Sequence, residues 1–456
     1  AAMRANGTGS SVINENTINL NGPYTMGMFA AKGSAKNTGT IGGTSANNSL
    51  GIAADGASNV IQTATGSVSL TGANNIGLYL KSSTASSIEG TFEVKGDNGI
   101  GIYGKDGKIT SYKAKTTADG NGVYGLVLSG TSSVTGDGTG EIIIKNGSGA
   151  AGITTDPLTS KNRGSVGIAT LDSTSTVTGV KLSAKVKDKE SIGVYAKGDI
   201  TLTNADVEAD DKAVNFFANG AKITIGGGTT KTGDGSLLFY ATNGGKIDLT
   251  GNVKATVDKG TAIYYKGGEY DSKTNTITYT AFSPSSTIKG VKQNLDLIVQ
   301  NGGRTFVGEG VEIKISDTNP ADLFKTYSNS GGKSFLLYHS KLDIDTDVNL
   351  DTANNLYDSL ELASSSVTNN KVVTGTAANK TFMAQENDTQ NINVVTLKNS
   401  SSGKIDLSGN NSTAMYAKYG VLTNEGEIKV NGVAMYGVKN AKITNTKDIV
   451  LSSNST

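Results

Sequence analysis

The sequence predicts an all-β protein, a right-handed parallel β-helix, and three observations carry the prediction. A short phrase of Gly, an aliphatic residue, an aromatic residue and Ala or Gly recurs every 20–26 residues. Strands with period-two alternation follow it, as in Lys222-Ile223-Thr224-Ile225 and Lys246-Ile247-Asp248-Leu249. Clusters of Gly, Asn and Asp bound these strands, as tight turns require.

The phrase begins as Met26-Gly27-Met28-Phe29-Ala30 and returns as Ile76-Gly77-Leu78-Tyr79-Leu80 and Ile100-Gly101-Ile102-Tyr103-Gly104. Later copies include Ile192-Gly193-Val194-Tyr195-Ala196, Val214-Asn215-Phe216-Phe217-Ala218, Ala414-Met415-Tyr416-Ala417 and Ala434-Met435-Tyr436-Gly437. Leu50-Gly51-Ile52-Ala53-Ala54 and Val166-Gly167-Ile168-Ala169 lack the ring. Phe29 to Ala53 is 24 residues, Ala53 to Tyr79 is 26 and Tyr79 to Tyr103 is 24. That period fits one coil of about three strands, with coils stacked ~4.8 Å apart. Equivalent residues then form columns. Tyr and Phe stack from coil to coil, Ile, Val and Leu fill the interior, and pairs such as Asn47-Asn48 and Asn74-Asn75 ladder at corners. A propeller blade needs ~40–50 residues, which is too long. The handedness follows from the crossover rule for parallel strands.

The phrase nearly vanishes after Gly268. Regular coils are therefore expected over 1–267 and 401–456, with an irregular region over 268–400. Asn319-Pro320 opens a stretch to Tyr327 with helical apolar spacing. Leu350, Ala353, Tyr357 and Leu360 are also at helical spacing, so a partly helical insertion is predicted. Insertions on a solenoid map to one face and often carry recognition. Aromatic residues and Arg favour interface hot spots. The candidate ligand-binding residues are accordingly Tyr270, Tyr279, Arg304, Phe306, Phe324, Tyr327, Tyr338 and Tyr357.

Composition restricts the chemistry. The 456 residues include 60 Gly, no Cys, no Trp and one His. Lys plus Arg is 41 and Asp plus Glu is 40, a net charge of +1. Nucleic-acid binding needs clustered positive charge and is not expected. Without Cys there are no disulfides and no thiolate metal sites. A serine protease would need Ser, His and Asp together, and His339 ends an apolar run without a nucleophile segment. Gly226-Gly227-Gly228 has the wrong order for a phosphate loop and reads as a turn. Asp343, Asp345, Asp347 and Asn349 alternate onto one side of a strand and offer oxygen ligands for calcium. The preferred reading of that run is a solvated edge strand whose charge discourages aggregation. Glu208-Ala209-Asp210-Asp211 reads as exposed charge. No catalytic residue, cofactor or metal site is expected. The start shows no signal peptide, no 18-residue apolar run occurs, and the chain is taken for a segment of a longer protein.

The closest phrase to a known family is Thr413-Ala414-Met415-Tyr416-Ala417-Lys418 with Thr423-Asn424-Glu425-Gly426-Glu427-Ile428. Over residues 20–270 and 400–450 the repeats resemble the passenger repeats of bacterial type V autotransporters, most of all the large fusobacterial outer-membrane adhesins. The resemblance implies a virulence-associated adhesin segment exposed on the bacterial cell surface or released by cleavage. Its partners would be a host cell-surface receptor or glycan, or a partner bacterium. Its membrane anchor would be a C-terminal translocator barrel outside this sequence. The alternatives are a spacer rod and a β-helix carbohydrate-active enzyme.

Overall fold

A computed structural model describes residues 1–456 except 57, 150–163, 190, 267–269, 272–275, 278–279, 282–287, 290–294, 310, 316–327, 331–334, 339, 352–355, 359–364, 386–394 and 453–456. Among the described residues every regular element is a strand, and the strands stack in parallel as a β-solenoid. They fall into two compact units, residues 1–256 with 287–296 and residues 257–286 with 297–456.

In the first unit one coil consists of Ile76–Lys81, Thr84–Ile88 and Thr91–Lys95. The next consists of Ile100–Lys105, Lys108–Tyr112 and Lys115–Asp119. Each strand pairs in parallel with its counterpart, Ile76 opposite Ile100, Thr84 opposite Lys108 and Thr91 opposite Lys115. The sequence period is thus the coil length. Ten of the strands that begin a coil, from Met3–Asn6 to Leu237–Thr242, line up in one sheet of this unit.

The interior column is aliphatic, as alternation predicts. Leu78, Leu80, Ile102, Leu126, Ile168 and Val194 are fully or almost fully buried. Phe92, Tyr112, Phe216 and Phe239 add rings to the core. The Tyr112 hydroxyl donates to the Glu141 carbonyl at 3.2 Å and shares a hydrogen bond with Thr116 Oγ1 at 2.9 Å. Burial pushes its phenol far above the ordinary range.

The glycine of the repeated phrase has a steric cause. A Cβ on Gly101 would lie 2.4 Å from Thr116 Cγ2 and 2.5 Å from the carbonyl oxygen of Gly125 in the next coil. On Gly125 it would meet Ile142 Cγ2 at 2.4 Å and the Gly167 carbonyl at 2.6 Å. At these glycines the first strand of the coil approaches the third too closely for a side chain. Asn215 takes this place in a later coil and satisfies its own amide, donating to the carbonyls of Val207 and Lys231 at 2.9 and 3.0 Å.

The corners match the expectation for the Asn pairs. Tyr24, Asn48, Asn74 and Asn98 form a column in the left-handed region, with φ between +55° and +59°. Asn and Gly tolerate that conformation best. Asn74 Nδ2 donates to Asn48 Oδ1 at 3.0 Å, and the Ser49 amide donates to Asn75 Oδ1 at 2.9 Å. A second amide ladder runs inside the coils, where Asn14 donates to Asn37 at 2.8 Å and Asn37 to Gln62 at 3.0 Å.

In the second unit, Arg304–Glu309 lies beside Thr261–Lys266 and Phe335–Tyr338. Val311–Ile315, Lys341–Ile344, Ser365–Asn369, Val395–Asn399, Val421–Asn424 and Lys442–Asn445 form another ladder. Described strands between 304 and 399 thus carry the same parallel pairing as the regular coils, although the phrase has gone. Tyr270–Asp271 and Thr276–Ile277 form an antiparallel pair. The helix expected around Leu350–Leu360 is corrected: Leu356–Asp358 is a strand paired with Met383–Gln385. Four apolar residues at helical spacing do not outweigh the hydrogen bonds that a neighbouring coil supplies. The helix expected over Asn319–Tyr327 lies outside the described residues.

Candidate interaction surface

Strand alternation decides which rings face outward. Leu78 and Leu80 are fully buried, whereas Tyr79 between them is partly exposed and Lys81 is exposed. Tyr79 therefore projects from the outer face of its sheet. Its register partners are Ala53 and Tyr103, and farther along the same column Tyr195, Phe217 and Tyr240 follow one another. The rings of Tyr79 and Tyr103 are 5.4 Å apart, Tyr195 meets Phe217 edge-on at 5.2 Å, and Phe217 stacks on Tyr240 at 4.3 Å. These are favourable aromatic geometries.

A second column, buried throughout, lies beside the first because the glycine interrupts strict alternation. It contains Ile76, Ile100, Tyr124, Val166, Ile192 and Val214. The two columns form one apolar cluster. Tyr103, Val127 and Ala169 are buried within it, whereas Tyr79, Phe217 and Tyr240 remain partly exposed. Tyr195 accepts a hydrogen bond from Asn219 Nδ2 at 3.1 Å. In the second unit Tyr416 and Tyr436 repeat the motif at 5.6 Å, with Tyr436 52 % exposed. A ridge of flat rings with polar tips suits contact with sugar faces or with apolar protein surface.

Five of the eight candidate ligand-binding residues lie on described strands. Arg304 is half-buried and opposite Thr261, Phe306 is opposite Ile263 and Phe335, and Tyr338 is opposite Glu309. These three share a sheet. Tyr357, opposite Ala384, lies on Leu356–Asp358, a strand next to Phe335–Tyr338, and Tyr270 belongs to the antiparallel pair. Tyr279, Phe324 and Tyr327 lie outside the described residues, as does His339. The outward ridge was missed as a surface because the phrase alone does not distinguish a ring packed inside from one packed outside.

The acidic run keeps its predicted alternation. Leu342, Ile344, Thr346, Val348 and Leu350 point inward, with Asp343, Asp345, Asp347 and Asn349 between them. Its two strands differ: Lys341–Ile344 is internal, paired with Val311–Ile315 on one side and Ser365–Asn369 on the other, whereas Val348–Asn349 ends its sheet and pairs only with Val372–Gly375 among the described residues. Its carboxylates receive donors from the following coil. Asp345 accepts from Asn370 Nδ2 at 2.8 Å and Asp347 from the Val372 amide at 3.1 Å. Asp351 accepts from Thr376 Oγ1 at 2.6 Å and from the Thr376 and Ala377 amides at 2.8 and 2.9 Å. Among the described residues no group of three or more His, Cys, Asp or Glu is placed to hold a metal ion.

The Thr376 hydroxyl and the two amides hold the Asp351 carboxyl at about 2, below its ordinary value. A depressed carboxyl stabilises the fold above its unfolded pKa and loses that contribution as pH falls through the folded one. The expected result is an acid-sensitive component between about pH 4 and pH 2. Thermal melts of the parent and Asp351→Asn over that window test it. The variant should show the flatter decline, and parallel declines would contradict the assignment.

No protein-family model matches the chain, and neither a curated protein nor a solved structure matches it.

Proposed function

We propose that this chain is an adhesin segment of a bacterial autotransporter passenger, attaching to host cells or partner bacteria through the outer surface of its coils. The observation that carries the reading is the outward aromatic ridge of the first unit, in which Tyr79, Phe217 and Tyr240 present ring surface from a backbone held coil to coil. The resemblance of the repeats to such passengers supports the same reading. The absence of Cys suits a chain exported unfolded, because no disulfide forms before passage. A pre-organised surface contributes to affinity by lowering the ordering cost of binding.

Purified chain titrated onto epithelial cells and onto partner bacteria tests the proposal. Saturable binding, reduced in a Phe217→Ser, Tyr240→Ser double variant, is expected. Absence of binding to every surface would favour the spacer reading, in which the amide ladders serve only to keep a rod stiff.

A further inference from the structure

The first unit carries a concavity of about 350 Å³ where the solenoid's regular alternation breaks. The strand Glu141–Gly147 pairs with Thr176–Lys187, and its register shifts between Ile144 and Gly147. Ile144 lies opposite Ala184 and Gly147 opposite Val186, so Lys145 and Asn146 together face the place of one residue, Lys185. This is a β-bulge, which re-aims side chains and is frequent beside functional sites. Here it exposes two consecutive residues, Lys145 and Asn146, where alternation would turn one of them inward.

The surroundings are polar and come from successive coils. Lys185 is opposite Glu208 and Lys187 opposite Asp210 in the next coil, and Asn121 bridges to Ser148 from the preceding one. Three of these cations are unequal. Lys185 is 3.5 Å from Glu208, and Lys187 is 3.4 Å from Asp211. The Asp210 carboxylate accepts the amides of Asp211 and Asp234 at 2.9 and 3.1 Å. Lys145 makes no ion pair among the described residues. The cleft therefore holds one ammonium outside any ion pair, with Asp210 also lining it and Asn146 Nδ2 donating to Asp119 at 2.7 Å, beside amide and carboxylate groups of the kind that pair with sugar hydroxyls.

We propose that this cleft binds a saccharide bearing a carboxylate, with Lys145 holding the carboxylate and Asn146 and Glu208 receiving ring hydroxyls. The inference rests on the adhesin reading and names the class of ligand for one part of its surface. A sialylated glycan and a uronic-acid polymer share this chemistry. The cavity volume suits about one sugar ring with its charged substituent, and pockets of this size are ordinary ligand sites.

Calorimetric titration of the whole chain with 3′-sialyllactose, a hyaluronan tetrasaccharide and neutral lactose tests the proposal. At least one acidic sugar should bind tenfold or more tightly than lactose, weaken as salt rises, and lose at least tenfold in Lys145→Gln. Lys145→Arg should retain binding. The two acidic probes distinguish the sources. Equal binding of all three sugars, no binding of either acidic sugar, or unchanged affinity in Lys145→Gln would overturn the assignment. A matching melting curve for Lys145→Gln establishes that any loss is local. Cell attachment without acidic-sugar binding would sink the cleft alone, whereas absence of attachment would sink the adhesin reading.

Discussion

Gly101→Ala is expected to destabilise the first unit by about 3 kcal/mol, near the upper part of the range for overpacked cores. The added methyl meets the Gly125 carbonyl oxygen at 2.5 Å and Thr116 Cγ2 at 2.4 Å. The Thr methyl has some freedom to rotate, but the carbonyl belongs to the next coil and is fixed by strand pairing. Reduced entropy of the unfolded chain returns only about 0.4–1 kcal/mol. Gly42→Ala is the control. Gly42 lies in the strand Thr40–Gly43, and a Cβ there meets nothing within 4 Å. Chemical denaturation should show a lowered midpoint for Gly101→Ala and an unchanged or raised one for Gly42→Ala. Equal effects would show that the glycine column answers to backbone freedom rather than to space.

The second large effect is expected at Asn399. It stands in a buried chain of amides in which Asn369 Nδ2 donates to Asn399 Oδ1 at 2.9 Å and Asn399 Nδ2 donates to Asn424 Oδ1 at 2.8 Å. Asn424 in turn donates to Asn445 at 2.7 Å. Truncation to Ala removes two buried hydrogen bonds and deprives the neighbouring amides of partners. The loss is expected to be about 2–4 kcal/mol. Asn399→Asp keeps the shape but removes the donor to Asn424 and buries a charge, so it should be at least as damaging at neutral pH. Acid should partly restore it, because a protonated carboxyl regains a donor. Denaturation of both variants at pH 7 and pH 4.5 reads these differences. An Asn399→Asp protein as stable as the parent at pH 7 would contradict the ladder.

The repeat was legible because a solenoid copies one steric problem many times. Gly27, Gly51, Gly77, Gly101 and Gly125 each face the opposite strand and the next coil, so the same small residue returns at the coil period. The Asn corners were legible for a similar reason, since the turn conformation at Asn48, Asn74 and Asn98 favours one residue type. What was not legible concerns direction and context. Tyr79 and Leu78 are both apolar neighbours in a strand, and only the register assigns one to each face. Tyr357 carries a helical spacing but takes its hydrogen bonds from the strand Thr381–Gln385. The acidic run alternates as expected, but only its Val348–Asn349 part ends a sheet while Lys341–Ile344 is paired on both sides, because pairing depends on coils distant in sequence. Likewise, nothing in Lys145-Asn146 announces a bulge until the partner strand is known.

The central claim is that folded coils, rather than a locally ordered segment, make the attachment surface. Cell-binding isotherms of the parent chain and Gly101→Ala, recorded below and above the variant's melting temperature, test it most directly. Saturable binding by the parent at both temperatures is predicted, with the variant matching it below its melt and losing it above. Binding by the unfolded variant equal to that of the parent would contradict the claim, and so would failure of the folded parent to bind.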